Sequence, residues 1–408
     1  MSAKRQQRIL LKSLDTSVSY MSVGIDLAKN DLSVVALASG LMLYGIDRIG
    51  YPAFFEMTAR MEPTCFAMEP CNGYRIYKDT LEAQGHRVRI IGGNFVQAHV
   101  NTFLSGQKTD LNDAQALAFL ALSEQLIDIR GKTPHEARLL TLSAIRQQFV
   151  KQHTATVVAY KGMMQSWGVL INRGTQSIKT FRRRLESQSE AIGDTVNKGL
   201  QTMIDMIETL AQAIKSIDKE IQNEMAVDER LPQLSEIPFL GPVTLCRLLG
   251  TIGDIQRFPR PRMLMAYYGM VPRNKATGHN GRVGKMTKRG DTLARTYLLS
   301  AAGCYMMANA QLRIPDCGIK RWLEKKIAGG KHWNLIKVEL ACKLLRIIWA
   351  ILKHGERFSL LKAGLSREAI ETLKNGETPL ENVGREDPDN EDTIIVKDPY
   401  LGKAALIG

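Results

Sequence analysis

Residues 21–40 read MSVGIDLAKNDLSVVALASG, two runs rich in β-branched and aliphatic residues on either side of the polar AKND. Such runs around a short polar turn predict a β-hairpin. LMLYGID (41–47) supplies a third strand, so the chain opens on a meander. Strand and helix signals then alternate. YPAFFEMTARM (51–61) has helical spacing, TCFAMEP (64–70) is a short apolar run ending at Glu69, and NGYRIYKDTLEAQG (72–85) returns to helical spacing with a glycine stop. HRVRIIGG (86–93) reads as a fifth strand, with the next helix following it. Asp26 then lies near the end of the first strand and Glu69 at the end of the fourth.

That next helix begins in GQKTDLNDAQALAFL (106–120), which sets Asp110 and Asp113 three positions apart at its head. Two readings are open. Acidic residues are favoured in the first turn of any helix, where free N–H groups and the positive dipole end welcome negative charge. Side chains three apart also share a helix face, so both carboxylates could converge on one hard cation such as Mg²⁺.

Three meander strands followed by helix–strand units is the order expected of a ribonuclease H-like domain, whose metal site gathers acids from the first strand, the end of the fourth and a later helix. Asp26, Glu69, Asp110 and Asp113 fall at those stations. Singly, each has an ordinary explanation as a cap or a solvated strand end. Taken together they are candidate catalytic residues and ligands for two Mg²⁺ ions, which would activate a nucleophile and steady the leaving oxygen in phosphodiester cleavage.

Bulk properties agree with a nucleic-acid enzyme. The 408 residues suffice for at least two cores, and a formal charge of +14 with a pI near 9.5 calls for a polyanionic partner. LACKLLRIIWAILKHGERF (340–358) is interrupted by Lys343 and Arg346 and is too short to span a bilayer, and MSAKRQQRILLKSLD at the start has no cleavable signal pattern. No membrane partner is expected. The six cysteines form no CxxC pair, so neither a zinc site nor a disulfide framework is expected, and a cytoplasmic location is the default.

GIDLAKND (24–31), MEPCNGYRIYKDTLEAQGHRV (68–88) and KTDLNDAQALA (108–118), in that order and spacing, resemble the DEDD transposases of the bridge-RNA insertion sequences, a family that includes the Piv-type DNA invertases. The resemblance runs from about residue 21 to about residue 355. It implies a RuvC-like (ribonuclease H-like) α/β domain over 21–133 after a basic arm over 1–20, a helical coiled-coil linker over 134–228, and a mostly α transposase domain over 229–363. It also implies DNA as substrate, a structured guide RNA, and a homo-oligomer, expected to be a tetramer on two DNA duplexes.

Residues 134–228 carry their own signal for the linker. TLSAIRQQFVKQHTATVVAYKGMMQSWGVL (141–170) and LQTMIDMIETLAQAIKSIDKEIQNEM (200–225) have apolar residues at helical spacing, which two long helices in an antiparallel coiled coil would bury. The joining stretch NRGTQSIKTFRRRLESQSEAIGD (172–194) holds Arg182, Arg183 and Arg184, a solvated face or a nucleic-acid contact. LSEIPFLGPVTLCRLLGTIGDIQRF (234–258) pairs two apolar helical segments around PFLGP, either an ordinary tight turn or a helix-hairpin-helix-like element presenting N–H groups to phosphate.

Charge is densest between Arg257 and Arg295, where Arg257, Arg260, Arg262, Arg273, Lys275, Arg282, Lys285, Lys288, Arg289 and Arg295 face the single acid Asp291. A solvated surface would mix signs, so this one-sided run reads as a phosphate track, with Gly278 letting backbone approach DNA. Its glycine-rich loop VPRNKATGHNGRVGKMTKRGD (271–291) has little apolar content with which to fold alone. In the resembled family this loop carries a serine, followed by glycine, that becomes covalently joined to DNA. Aligning KRGD with 288–291 places Ala276 and Thr277 there, making Thr277 the candidate nucleophile. Threonine keeps the hydroxyl, but its methyl crowds in-line attack on phosphorus. The other reading makes Thr277 a turn residue in a copy with weakened strand transfer. Tyr267 and Tyr268 read as core aromatics. From 364 the chain turns acidic and polar, the composition of a mobile tail that could compete with DNA for the basic track.

A Piv-like invertase, a RuvC-like structure-selective nuclease and a non-catalytic nucleic-acid-binding protein remain as alternatives. The nuclease would need the four acids and not Thr277.

Overall fold

The computed structural model describes residues 14–365 and 367, apart from 72, 105, 127, 172–176, 278–279 and 312–313; within 274–283 only backbone is described. The acidic tail and most of the basic arm lie outside the described residues. The chain divides into two compact units, with the boundary between Lys132 and Thr133.

The first unit is built on a five-stranded sheet in the order β3-β2-β1-β4-β5. Strands β1 (Tyr20–Leu27), β2 (Asp31–Ala38) and β3 (Leu43–Gly50) form the antiparallel meander, while β4 (Cys65–Met68) and β5 (Arg87–Ile90) join parallel to β1 and to each other. Helices α1 (Tyr51–Thr58) and α2 (Tyr74–Ala83) supply the crossovers. Their Phe54, Tyr77 and Leu81 share a core with Val23, Ile25, Phe66 and Met68. Helix α4 (Asp110–Ala121) covers the opposite face, against Val35, Leu37 and Ala67. Between β5 and α4 lies a helix that the sequence did not announce, α3 (Gly93–Phe103). GNFVQAHVNTF is poor in strong helix formers, and Val96 and Val100, buried against α4, hold it in place.

The second unit begins with α5 (Pro134–Ser166), opened by a Thr133–Glu136 capping box. It runs antiparallel to α8 (Asp194–Ala226): His135 meets Glu224 and Asp228, while Arg146 meets Asp218. The α8 seam is Leu200, Ile204, Ile207, Ala211, Ile214, Asp218, Ile221 and Met225, alternating steps of four and three as a coiled coil requires. The polar joining stretch is not irregular throughout. It contains α6 (Ile178–Glu186) and α7 (Ser189–Ile192), whose Phe181, Leu185 and Ile192 close the end of the seam over Tyr160 and Ile204. Arg182 is engaged by Asp205 and Glu208 of α8.

At the other end, Ile221 and Met225 enter the core of the C-terminal helices. These are α9 (Leu231–Leu234), α10 (Pro242–Ile252), α11 (Pro261–Tyr267), α12 (Thr292–Ala310), α13 (Gly318–Ala328) and α14 (Trp333–His354). The helix before PFLGP is therefore one turn, not a partner equal to α10. Pro232 and Pro238 fall too close together for a longer helix there. The glycine-rich basic loop is also corrected: it forms an antiparallel ribbon of β6 (Pro272–Thr277) and β7 (Asn280–Met286), in which Lys275 pairs Arg282 and Thr277 pairs Asn280. Backbone pairing makes this ribbon, so hydrophobic alternation did not reveal it. No helix among the described residues is long and apolar enough to cross a membrane.

Candidate active site

Alternation along β1 puts Ser22, Gly24 and Asp26 on the face that α4 covers. The Ser22 hydroxyl donates to the Ala118 carbonyl at 2.7 Å. A Cβ on Gly24 would lie 1.9 Å from the Ala114 carbonyl oxygen, so only glycine lets helix and strand approach this closely. Two strand residues advance about 6.6 Å and four helix residues about 6 Å, so the two elements keep pace in opposite directions. The contacts Ser22 with Ala118 and Gly24 with Ala114 therefore lead to Asp26 beside Asp110. In parallel register Gly24 pairs Ala67, and the next step along the same face brings Glu69 beside Asp26.

Electrostatics report the same convergence. Burial, then Asp110, Asp113 and Glu69, push the Asp26 carboxyl up to about 6. Burial and Asp113 raise Glu69, and burial with Asp110 raises Asp113. Asp113 is only 7% exposed. The cap of α4 is Thr109, whose hydroxyl accepts the Asn112 N–H at 3.2 Å. A carboxylate placed only to serve the helix end would be held down by the dipole, whereas Asp113 is pushed up.

Two neighbours escaped the sequence reading. Lys108 counters the acids, drawing Asp26, Glu69 and Asp113 downward. Cys71 stands at the rim, its thiol pushed up by burial and by Asp26 and Glu69. Lys108 stands two residues before the exposed Asp110 and five before the buried Asp113, a spacing that by itself gives no sign of their proximity. Gly93 at the start of α3 leaves the Glu69 carboxylate its place, since an added Cβ would come within 2.9 Å of Oε2.

Arg89, 4% exposed, secures the far end of α4. Its guanidinium donates to the carbonyls of Ala121 (2.6 Å), Ser123 (2.9 Å) and Leu126 (2.9 Å) and to Asp128 (2.8 Å), satisfying a helix C-terminus that would otherwise be buried without partners.

Among the described residues, no three His, Cys, Asp or Glu side chains form a group able to hold a metal ion by themselves. This donor set does not fit a closed all-protein cage. It fits a divalent cation held through one or two carboxylates, with waters and substrate phosphates completing the shell. Mutually repelling, half-buried carboxylates are also the groups that gain most from a cation.

In the second unit, the turn that presents the basic ribbon is tightly built. Gly269 and Gly290 both have positive φ, and a Cβ on either would lie about 2 Å from backbone of the other's turn. Thr287 N–H donates to the Val271 carbonyl and Lys288 N–H to Gly269. Lys285, Lys288 and Arg289 are exposed, as is Arg273, which donates to the Thr287 carbonyl. Asp291 is engaged by Arg247 at 2.5 Å and caps α12 through the Ala294 N–H. Two members of the basic run are internal instead. Arg257 stacks on Phe258 and Tyr267, and Arg295 donates to the carbonyls of Tyr268 and Arg289. Tyr268 is fully buried, whereas Tyr267 is 37% exposed. The side chains of Lys275, Thr277 and Arg282, and all of Gly278, lie outside the described residues.

A 3-2-1-4-5 mixed sheet, with acids at the ends of its two central strands and on the covering helix, is compatible with a ribonuclease H-like DEDD domain of a DNA strand-transfer enzyme. Residues 23–167 match the DEDD transposase model described as "Transposase", and residues 231–314 match the "Transposase IS116/IS110/IS902 family". The chain is 27% identical to the transposase for insertion sequence element IS1111A of Coxiella burnetii, over 87% of this chain and 96% of that protein. It is 26% identical to a probable family 20 transposase of Pseudomonas aeruginosa, over 81% and 96%. A pilin gene-inverting protein of Moraxella bovis is 23% identical over 84% and 98%. The chain belongs to the IS110/IS116 family of insertion-sequence DEDD transposases, enzymes that cleave and transfer DNA strands.

Proposed function

We propose that Asp26, Glu69, Asp110 and Asp113 form the cleavage centre of this transposase and hold divalent cations, two Mg²⁺ ions in the full site. The observation that carries this is the register that sets Gly24 against Ala67 of β4 and against Ala114 of α4, so that the next residues along those faces are Asp26, Glu69 and Asp110. Bound cations would supply Lewis acidity to the attacking and leaving oxygens. The protein's own part is placement: Gly24 and Arg89 fix α4, Gly93 leaves room for Glu69, and Lys108 offsets part of the negative charge that would repel DNA.

Thr277 is the proposed nucleophile. Its hydroxyl oxygen attacks phosphorus, the bond to the leaving strand breaks, and the hydroxyl proton passes to the leaving oxygen, so a phosphothreonine ester holds the cut end. Arg273, Lys275, Arg282, Lys285, Lys288 and Arg289 offset phosphate charge around the break, Gly278 admits the backbone, and the α9–α10 turn adds N–H contacts to phosphate. Support comes from the unbalanced charge of the ribbon and from the commitment to Arg247 of Asp291, the only acid between Arg257 and Arg295. A structured guide RNA and a tetramer are part of the proposal, resting on the family resemblance and on the charge of +14.

Inversion between fixed sites is a second reading, favoured by the match to almost the whole of the pilin gene-inverting protein. The test is to incubate the protein, with any co-purifying RNA, with Mg²⁺ and DNA carrying element ends. Wild type should give a covalent adduct mapping to Thr277, and Asp110→Asn should give none. An adduct that survives Thr277→Ala removes this residue from the mechanism. Element ends that recombine only as inverted pairs on one molecule would favour inversion.

A further inference from the structure

The base of the ribbon and helices α11, α13 and α14 line a groove of about 790 Å³, of which the chemistry above uses Lys285 alone. Its rim carries Arg262, Lys285, Lys326, Lys331, Lys343 and Arg346. The one acid in its lining, Glu339, is already shared between Lys326 at 3.3 Å and Lys331. Its lining is otherwise largely apolar, with Met270, Met286 and Val338, and the Trp322 indole stands in the wall. The ammonium groups of Lys343 and Lys326 lie 5.2 and 5.8 Å from the Trp322 ring centroid.

An apolar, aromatic lining inside a ring of cations asks for a ligand that is flat, apolar and anionic at once. A paired duplex offers phosphates but keeps its base faces stacked within itself; an unpaired strand offers both. The groove is continuous with the ribbon through Pro272, Gly284 and Lys285, and its size is that of a cleft for a few aromatic groups, not for a double helix. Trp322, Lys326, Lys331, Lys343 and Arg346 all lie beyond residue 314, where the matched C-terminal family region ends.

We propose that this groove holds an unpaired DNA strand, with a base stacked on Trp322 and the flanking phosphates on the rim cations. The inference rests on the reading of the ribbon as the place where DNA is cut; the strand freed beside a break is the ligand the groove fits. It would keep that strand from re-pairing or diffusing away before rejoining.

The test uses the full chain and a fluorescent single-stranded oligodeoxynucleotide, with RNA of the same sequence and the corresponding duplex as parallel probes. Trp322→Ala should weaken single-stranded DNA binding roughly 5- to 150-fold, the range for loss of one base–aromatic stack. Trp322→Tyr, which restores a stacking face, should retain most of the affinity, and circular dichroism should show both variants folded. Arg346→Glu, at an exposed position, should lower the slope of log affinity against log salt by at least about 0.7, one single-strand phosphate contact. Strand binding is measured without Mg²⁺ and without cleavage, which separates failure of the groove from failure of the cleavage centre. Equal losses for duplex and single strand would overturn the proposal, as would stronger, Trp322-dependent binding of the RNA. Unchanged affinity in both Trp322→Ala and Arg346→Glu would overturn it as well.

Discussion

At Gly24 a single hydrogen sets how close α4 comes to β1, and that distance decides whether the carboxylates meet. Gly24→Ala would drive a methyl into the Ala114 carbonyl, costing about 1–3 kcal/mol and separating Asp26 from Asp110. Divalent-ion affinity, measured by calorimetry, should fall with it; an unchanged affinity would show that the contact does not position the site. Asp26 carries its own pH signature. Its folded pKa, about 6, lies above the ordinary 3.8, so the folded protein binds that proton more tightly than the unfolded chain. The sign follows: the Asp26 contribution to stability is most favourable below about pH 4, declines as pH rises to about 6, and stays lower above. Asp26→Asn, neutral at every pH, should therefore raise Tm in cation-free buffer at pH 8 by the equivalent of about 1 kcal/mol after allowing for solvent screening. Near pH 4 it should change Tm little. A Tm difference that does not vary between those pH values would contradict the coupling of the four acids. At Thr277, removal of the crowding methyl gives a further expectation: Thr277→Ser should form the covalent DNA adduct faster than wild type, and a slower rate would argue against attack by this hydroxyl.

Among the elements, the coiled coil shows how one polar pair fixes a long seam. Asp218 occupies a position where the repeat calls for an apolar residue, and Arg146, 1% exposed, reaches it from α5. Removing one partner strands the other: Arg146→Ala should cost about 3 kcal/mol in chemical denaturation. Arg146→Leu with Asp218→Leu should recover most of that loss, and a double variant no better than the single would mean that contacts of Arg146 such as that with Tyr297 matter more than the ion pair. Elements with a periodic apolar signal were legible from sequence. These include the meander, the strand bearing Glu69, the α4 helix and both long helices. Elements held by other forces were not. Helix α3 depends on Val96 and Val100 meeting α4, and the ribbon depends on backbone pairing among residues with almost no apolar content. The four acids could be placed because strand ends and a helix head are positions that a pattern fixes. Lys108 was missed because its neighbourhood is set by tertiary packing, and Arg257 and Arg295 were misread because a count of charges cannot distinguish a phosphate track from a cation bonded to carbonyls in the interior.

Over the whole molecule the excess of 14 positive charges makes binding to DNA salt-dependent, with each duplex phosphate contact adding about 0.9 to the slope of log affinity against log salt. Neutralising Lys288 and Arg289 together should lower that slope by roughly 1.8 without altering the response to Mg²⁺; an unchanged slope would place the duplex elsewhere. In the proposed mechanism the acids lie on one unit and the ribbon with Thr277 on the other, so neutralising the acids should stop cleavage and leave duplex binding in place. The most direct measurement is Mg²⁺-dependent strand cleavage of element-end DNA by wild type and by Asp26→Asn, Glu69→Gln, Asp110→Asn and Asp113→Asn, with DNA affinity recorded in parallel. Each substitution should lower the cleavage rate by about 10²-fold or more while duplex affinity stays within the wild-type range. Cleavage by Asp26→Asn or Glu69→Gln at the wild-type rate would contradict the assignment of these four carboxylates to one centre.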